Sequence, residues 1–418
     1  MIFIKLTAES IKFALASMRS NVFRTLLSLL GVTFGIFAII AVLTLVDSLE
    51  RSIKSSFSFL GANNLSIDKW PYLPENGVYR WWDFLNRPEP TLEEYDLIKD
   101  KVENARSSTI MTIREGVTIK HNSNSIGGNN LLGVAYTHSE VYDMPVKSGR
   151  YFSLTEANNG RNVAIIGHDI EEALFPNGNP EGKIIKIKGL KYVVIGVLEE
   201  EGESFIGTPS NDENCFIPYK SFQKLYYTGA RGGVGSSITF KGFEEDKNQA
   251  NLESEVRGLM RKIRGLKPKE EDNFAINRPE AIANEISSVF AVVSIAGWVI
   301  GGFSILVGGF GIANIMFVSV RERIPIIGIQ KSLGAKNYFI LFQFLFEAIL
   351  LSAIGGGIGV FFVYLISFAS LGSMEIILTM QNILIGLTLA CGIGVIAGIV
   401  PAIKAARQNP VEAIRSTG

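Results

Sequence analysis

Four long apolar runs, separated by polar segments, constrain the fold of this chain more than any other feature. A helix needs about 20 predominantly apolar residues to cross a bilayer. The runs cover 25–46, 288–320, 338–371 and 376–403, and the only charged residue in any of them is Glu347. Charged residues make up 19% of the chain, against about a quarter in a soluble domain. The sequence therefore predicts a membrane protein with four transmembrane helices.

The second apolar run is too long for a simple span. It holds 33 uncharged residues, which as a helix measure about 50 Å, whereas the hydrocarbon core of a bilayer is about 30 Å thick. We therefore expect part of 288–320 to protrude from the membrane as a stalk.

The distribution of Lys and Arg predicts the orientation. Residues 1–24 and 321–337 hold four each, and the tail 404–418 holds three. These segments are predicted to be cytoplasmic, with 1–24 an amphipathic helix on membrane lipid or an ordinary lead-in to the first span. Residues 47–287, with a net formal charge of −6, are then extracytoplasmic.

The extracytoplasmic segment has the mixed periodicity of an α+β domain. Period-2 apolar runs predict strands, with a hairpin at Gly189, and a capping box is expected where Thr91 precedes Glu94. The predicted strands are 63–68, 162–167, 183–199 and 236–242, and the predicted helices 91–105 and 244–265. We expect the two ends of the segment to form one subdomain, with a second inserted at about 150–230.

No catalytic pattern is present. The chain lacks HExxH, GxSxG, CxxC and GxxxxGK[ST], and its three histidines lack metal-ligand spacing. A polar pathway through the membrane is also disfavoured, since intramembrane charges mark such pathways. Glu347 is interpreted as a structural or interfacial carboxylate, with a role in coupling as the alternative.

Small residues recur at helix-contact spacing in every predicted span. Glycines four residues apart let helices approach closely in lipid, which predicts a tightly packed bundle and is compatible with a dimer. The pairs are Gly31/Gly35, Gly297/Gly301, Gly355/Gly359 and Gly394/Gly398.

The segment between the second and third spans carries a recognisable motif. Residues 319–351, SVRERIPIIGIQKSLGAKNYFILFQFLFEAILL, resemble the signature of FtsX-like and MacB-like permeases of ATP-binding-cassette systems. Residues 20–49, 146–198 and 401–415 resemble the first span, periplasmic core domain and tail of the same family. The resemblance implies that 321–337 is a cytoplasmic coupling loop. Its implied ATPase-coupling residues are Arg321, Glu322, Arg323, Ile327, Gly328, Ile329, Lys331, Leu333, Gly334 and Ala335.

The resemblance implies a non-catalytic subunit of a mechanotransmission machine in the bacterial inner membrane. Two copies of a separate ATPase would bind ATP and Mg, so this chain needs no cofactor. A second permease copy or a paralogue completes the assembly, with a periplasmic adaptor, an outer-membrane partner or a lipoprotein outside and no nucleic acid. Members with a fused ATPase carry it N-terminally, whereas this chain begins at its lead-in helix. It departs from the family at Ile326, often glutamate, and Gln330, often arginine.

Three functions fit this resemblance. The first is export or efflux, the second is release of lipoproteins from the membrane, and the third is FtsX-type regulation of a cell-wall hydrolase. The size of the segment 47–287 favours the first two, because FtsX proper usually has a smaller ectodomain.

An aromatic segment, 69–90, stands apart from these motifs. It contains Trp70, Trp81 and Trp82 among four prolines. Such a cluster is typical either of a partner-docking surface or of a small satellite core, and the sequence leaves both open.

Overall fold

A computed structural model describes residues 22–56, 61, 63–73, 78–176, 178–202, 210–368 and 374–410. Most of the predicted amphipathic helix 1–24, and the tail beyond residue 410, lie outside these residues. The chain divides into two compact units. One comprises Met1–Ser52 and Ser288–Gly418, and the other comprises Ile53–Ser287.

Among the residues that the structure describes, four long helices have the length and composition of membrane spans. Numbered in chain order, the long helices are α1 (Val22–Ser56), α8 (Pro279–Glu322), α10 (Asn337–Ile366) and α11 (Met380–Ala406), and a short helix, α9 (Ile324–Ser332), lies between α8 and α10 in the chain. The α+β domain lies between the first and second long helices in the chain, as the sequence predicted.

The long helices differ in extent from the apolar runs. The second, α8, begins nine residues before the predicted span 288–320 and has 44 residues, a length of about 66 Å. The first, α1, continues past the predicted end at residue 46 through Asp47, Glu50 and Arg51. Hydropathy detects only the apolar part of a helix. A charged turn beyond that part can remain helical outside the hydrocarbon, where its charged groups stay in water.

Glycines mark the contacts between these helices. A Cβ added to Gly301 would lie 2.2 Å from Ile39 Cγ1, and one added to Gly394 would lie 2.7 Å from Ile349 Cα. Gly31 and Gly35 of α1 lie against α8, and Gly297 and Gly301 of α8 lie against α1. Gly355 and Gly359 of α10 lie against α1, and Gly394 and Gly398 of α11 lie against α10. Packing within one chain thus accounts for all four pairs.

The unit Ile53–Ser287 contains ten strands and six α-helices among its described residues. The strands are β1 (Asn64–Asp68), β2 (Ala105–His121), β3 (Asn124–Val134), β4 (Val146–Gly149), β5 (Val163–Ile166), β6 (Ile184–Ile187), β7 (Leu190–Leu198), β8 (Asn214–Pro218), β9 (Ser236–Gly242) and β10 (Ala275–Asn277). The helices are α2 (Leu92–Ile98), α3 (His138–Val141), α4 (Leu154–Asn158), α5 (His168–Leu174), α6 (Tyr219–Phe222) and α7 (Ala250–Ile263).

All ten strands belong to one sheet, in the order β10-β1-β9-β2-β3-β8-β5-β7-β4, and β6 pairs with both β2 and β7. Six strands therefore close into a ring, β2-β3-β8-β5-β7-β6. Its interior is an apolar cluster that includes Ile119, Ile187, Tyr192 and Cys215, and Leu174 of α5 packs against it.

The ring differs from the predicted inserted subdomain, about 150–230, because it also uses the hairpin of β2 and β3. The β6 strand pairs with β2 only at Ile119 and Lys120. The sequence predicted neither a strand nor a helix at these two residues. The two ends of the segment do meet, since β1 pairs with β9 and β10. The hairpin at Gly189 and the capping box at Thr91 and Glu94 are confirmed.

Candidate functional site

The predicted coupling loop 321–337 contains a helix, so its description as a loop is wrong for nine residues. The helix α9 begins directly after Arg323, and Pro325 occupies its first turn. A proline is favoured there, because the N–H it lacks has no intrahelical partner at that position. The proline therefore starts a helix here rather than preventing one.

A Schellman motif ends α9. The N–H of Ala335 donates to the carbonyl of Gln330 and that of Gly334 to Lys331, both at 3.0 Å. Gly334 has φ +98°, a conformation that glycine adopts without steric strain. The Leu-Gly-Ala part of the motif is thus the helix terminator, and Leu333 is its C-cap.

One face of α9 is fixed to the long helices. Ile327 is buried in the same cluster as Val320 of α8, Ile340 of α10 and Ala402 of α11, and Gly328 beside it is also buried. Ile327 therefore anchors this face of α9 in the apolar cluster of the long helices.

Lys331 attaches α9 to the end of α11. Its Nζ donates to the carbonyl oxygens of Ala406 at 2.9 Å and Gln408 at 2.7 Å. The last carbonyls of a helix lack intrahelical donors and carry partial negative charge, so a lysine there is stabilising. The resemblance implied a role of Lys331 in ATPase coupling, which stays a prediction, and the structure shows its ammonium group bound within the chain.

Arg323, just before α9, and Glu347, in the first half of α10, form an ion pair. Arg323 Nη1 lies 3.3 Å from Glu347 Oε2, and their side chains are 17% and 5% exposed. A carboxylate so deeply buried needs a charge partner. This contact gives Glu347 a structural partner in the coupling segment, and a role of Glu347 in coupling stays a prediction.

Breaking this pair is expected to be costly. Removing one partner of a buried ion pair typically destabilises by about 3–5 kcal/mol. We expect Arg323→Met to lower the thermal midpoint of the purified protein by more than the double variant Arg323→Met/Glu347→Gln does. Equal losses in both proteins, measured by size-exclusion after heating, would show that removal of Arg323 does not leave a destabilising charge at Glu347.

The opposite face of α9 is apolar and exposed. Ile326, Ile329 and Leu333 follow the i, i+3, i+7 spacing of one helical stripe, and Leu333 is 84% exposed. We call these three residues the α9 stripe. Arg321, Glu322 and Lys336 near its two ends are also exposed. Exposed apolar residues with a polar rim are typical of a protein-binding surface.

Two family models match the chain. The model of the MacB-like periplasmic core domain covers residues 25–259, and that of the FtsX-like permease C-terminal region covers 298–410, which includes all of α9. The chain belongs to the MacB-like, FtsX-like permease family.

Relatives of this permease differ in length. It is 30% identical over 420 residues to "Macrolide export ATP-binding/permease protein MacB" of Marinobacter nauticus, covering 98% of this chain and 61% of that protein. "Pyoverdine export ATP-binding/permease protein PvdT" of Pseudomonas fluorescens is 29% identical, with 98% and 59% covered. The chain thus spans about three-fifths of these relatives. "Uncharacterized ABC transporter permease YknZ" of Bacillus subtilis is 29% identical, with 97% and 98% covered.

The structure divides the predicted coupling residues of the permease into two groups. The exposed group contains Arg321, Glu322, Ile329, Leu333 and Gly334. The wholly or partly buried group contains Arg323, Ile327, Gly328, Lys331 and Ala335. Ile326 was counted as a departure from the family and not as a site residue. Its spacing from Ile329 and Leu333 is the signal that would have included it.

The aromatic segment 69–90 is attached to the sheet at its base and exposed at its tip. At its base, Asn277 Nδ2 donates to the Trp70 carbonyl at 2.8 Å and to Asp68 Oδ2 at 2.7 Å, and burial raises the pKa of the Asp68 carboxyl. Trp70 also contacts Phe84, edge to face. At its tip, Trp81 and Trp82 are each 53% exposed and contact each other. The tip is therefore not a buried core, and partner docking there stays a prediction.

The described residues contain no group of three or more His, Cys, Asp or Glu side chains that would hold a metal ion. Cys215 is buried and Cys391 is exposed, and neither forms a disulfide.

Proposed function

We propose that this chain is the membrane subunit of an exporter whose ATP hydrolysis takes place in a separate ABC ATPase. The observation that carries the proposal is the α9 stripe, an exposed apolar surface on a helix whose opposite face is buried in the cluster of the long helices. A soluble partner that covers this stripe and moves would move α8, α10 and α11 together. The match to YknZ of Bacillus subtilis, which is described as an ABC transporter permease, covers 97% of this chain and 98% of that protein and supports a separate ATPase.

In this proposal, α9 faces the cytoplasm and the unit Ile53–Ser287 is periplasmic. The asymmetry of Lys and Arg supports this orientation. The 44-residue helix α8 is continuous, so displacement of its cytoplasmic end is carried along its length to the periplasmic unit. The chain itself holds no nucleotide and catalyses no reaction, and two copies work with two ATPases.

Co-expression with ABC ATPases of the same organism tests the proposal. We expect one ATPase to co-purify in equal amount and its ATP turnover to rise in the complex. Motion is then followed by a spin label at Lys101→Cys, an exposed site, in a Cys391→Ser background, since the remaining Cys215 is buried.

The distance between labels on the two permease copies should change when ATP, Mg and vanadate are added. Failure of any ATPase to co-purify would overturn the subunit assignment. Steady ATP turnover without a change in distance would overturn transmission alone.

A further inference from the structure

Three lysines lie side by side across the outside of the six-strand ring. Lys120 of β2 is directly opposite Lys186 of β6, which in turn is directly opposite Lys191 of β7. All three side chains are exposed, while their strand neighbours Ile119, Ile187 and Tyr192 point into the ring. Adjacent strands are about 4.8 Å apart, so three positive charges follow one another at that spacing. We call them the lysine row.

The lysine row is not neutralised within the part of the chain that the structure describes. None of its ammonium groups forms an ion pair or a side-chain hydrogen bond there, whereas the nearby Lys188 donates to the Leu225 carbonyl at 3.2 Å and lies over the Tyr226 ring. Like charges directly opposite each other destabilise a sheet. The segment 47–287 has a net charge of −6, so a generally basic composition does not explain the row.

Apolar side chains lie beside the lysine row. Ile184 and Val193 are directly opposite each other, and both are exposed. Each is two residues from a lysine of the row and therefore on the same face of its strand. The surface thus combines a line of positive charge with an apolar pair, which favours a partner that offers carboxylates and apolar side chains together over a purely phosphate polymer.

We propose that the lysine row binds an acidic amphipathic helix of a partner protein. Carboxylates at i, i+4 and i+7 recur about every 5.4 Å along one helix face, close to the spacing of the strands, and the long lysine side chains accommodate the difference. A helix laid across β2, β6 and β7 would place one carboxylate on each lysine and its apolar residues on Ile184 and Val193. The site lies outside the ATPase-coupling region and goes beyond the proposed function.

The test uses the full-length permease in nanodiscs of neutral lipid, without nucleotide. The probe is a labelled synthetic helix with glutamates at i, i+4 and i+7 beside leucines, and its control has the same composition with the glutamates spread around the helix. We expect the triple variant Lys120→Gln/Lys186→Gln/Lys191→Gln to weaken probe binding about ten-fold or more. Folding should not suffer, because the substitutions remove repulsion.

The matched control is Lys101→Gln/Lys220→Gln/Lys262→Gln, which removes the same charge from exposed lysines that do not face one another in the sheet. It should bind the probe as the natural protein does. Equal weakening by both triple variants, or equal binding of the patterned and spread helices, would overturn the proposal. Tighter binding of inorganic polyphosphate than of the probe would instead assign the row to a phosphate polymer.

Discussion

Leu333→Asp is expected to release the ATPase from the permease while leaving the permease folded. Leu333 is 84% exposed, so a carboxylate there remains in water and the fold loses little. In a complex, the same carboxylate would be buried without a partner at the centre of an apolar contact. Interface hot spots contribute at least about 2 kcal/mol, which corresponds to an affinity at least about 30-fold weaker. Titration of the purified ATPase against the permease measures this change.

Ser332→Asp is the control for added charge on α9. Ser332 is exposed and lies about a quarter of a turn from Leu333, off the α9 stripe. The Ser332→Asp variant should bind the ATPase nearly as tightly as the natural protein does. Gly334→Asp is a poorer test, because φ +98° strains any side chain there and confuses local unfolding with lost contact. If Leu333→Asp retains full affinity, the stripe is not the docking surface.

Gly394→Leu is expected to prevent assembly of the helix bundle. A Cβ at this position would lie 2.2 Å from Ser352 Oγ and 2.7 Å from Ile349 Cα, and the second atom belongs to a helix backbone that yields only if α10 and α11 separate. Overpacking a core costs about 1–3 kcal/mol and occasionally more. With a backbone in the way we expect at least the upper end, measured as lost monodisperse yield and a lower thermal midpoint.

Gly392→Leu is the matched control on the same helix. A Cβ at Gly392 meets nothing within 4 Å, so the added side chain finds open space. Both variants change helix propensity equally, and their difference isolates the contact between α10 and α11. Similar behaviour of the two proteins would mean that close approach at Gly394 does not hold the bundle together.

Much of the candidate site was predictable from local pattern. The Leu-Gly-Ala part of the motif and the basic residues around it located the segment 321–337. The i, i+3, i+7 spacing of Ile326, Ile329 and Leu333 was also present in the sequence. Which face of α9 would be exposed was not predictable, since both faces are rich in isoleucine. That choice depends on Ile327 packing among residues of three other helices.

The amino-acid sequence by itself determined the four spans, the α+β segment between the first two, and membership of the permease family. These follow from hydropathy, periodicity and motif order, which are properties of neighbouring residues. Only the tertiary structure decided that Arg323 pairs with Glu347, that Lys331 binds the end of α11, and that Lys120 and Lys186 are opposite each other. Such pairings join residues far apart in the chain, and cooperative packing of whole helices and strands selects them.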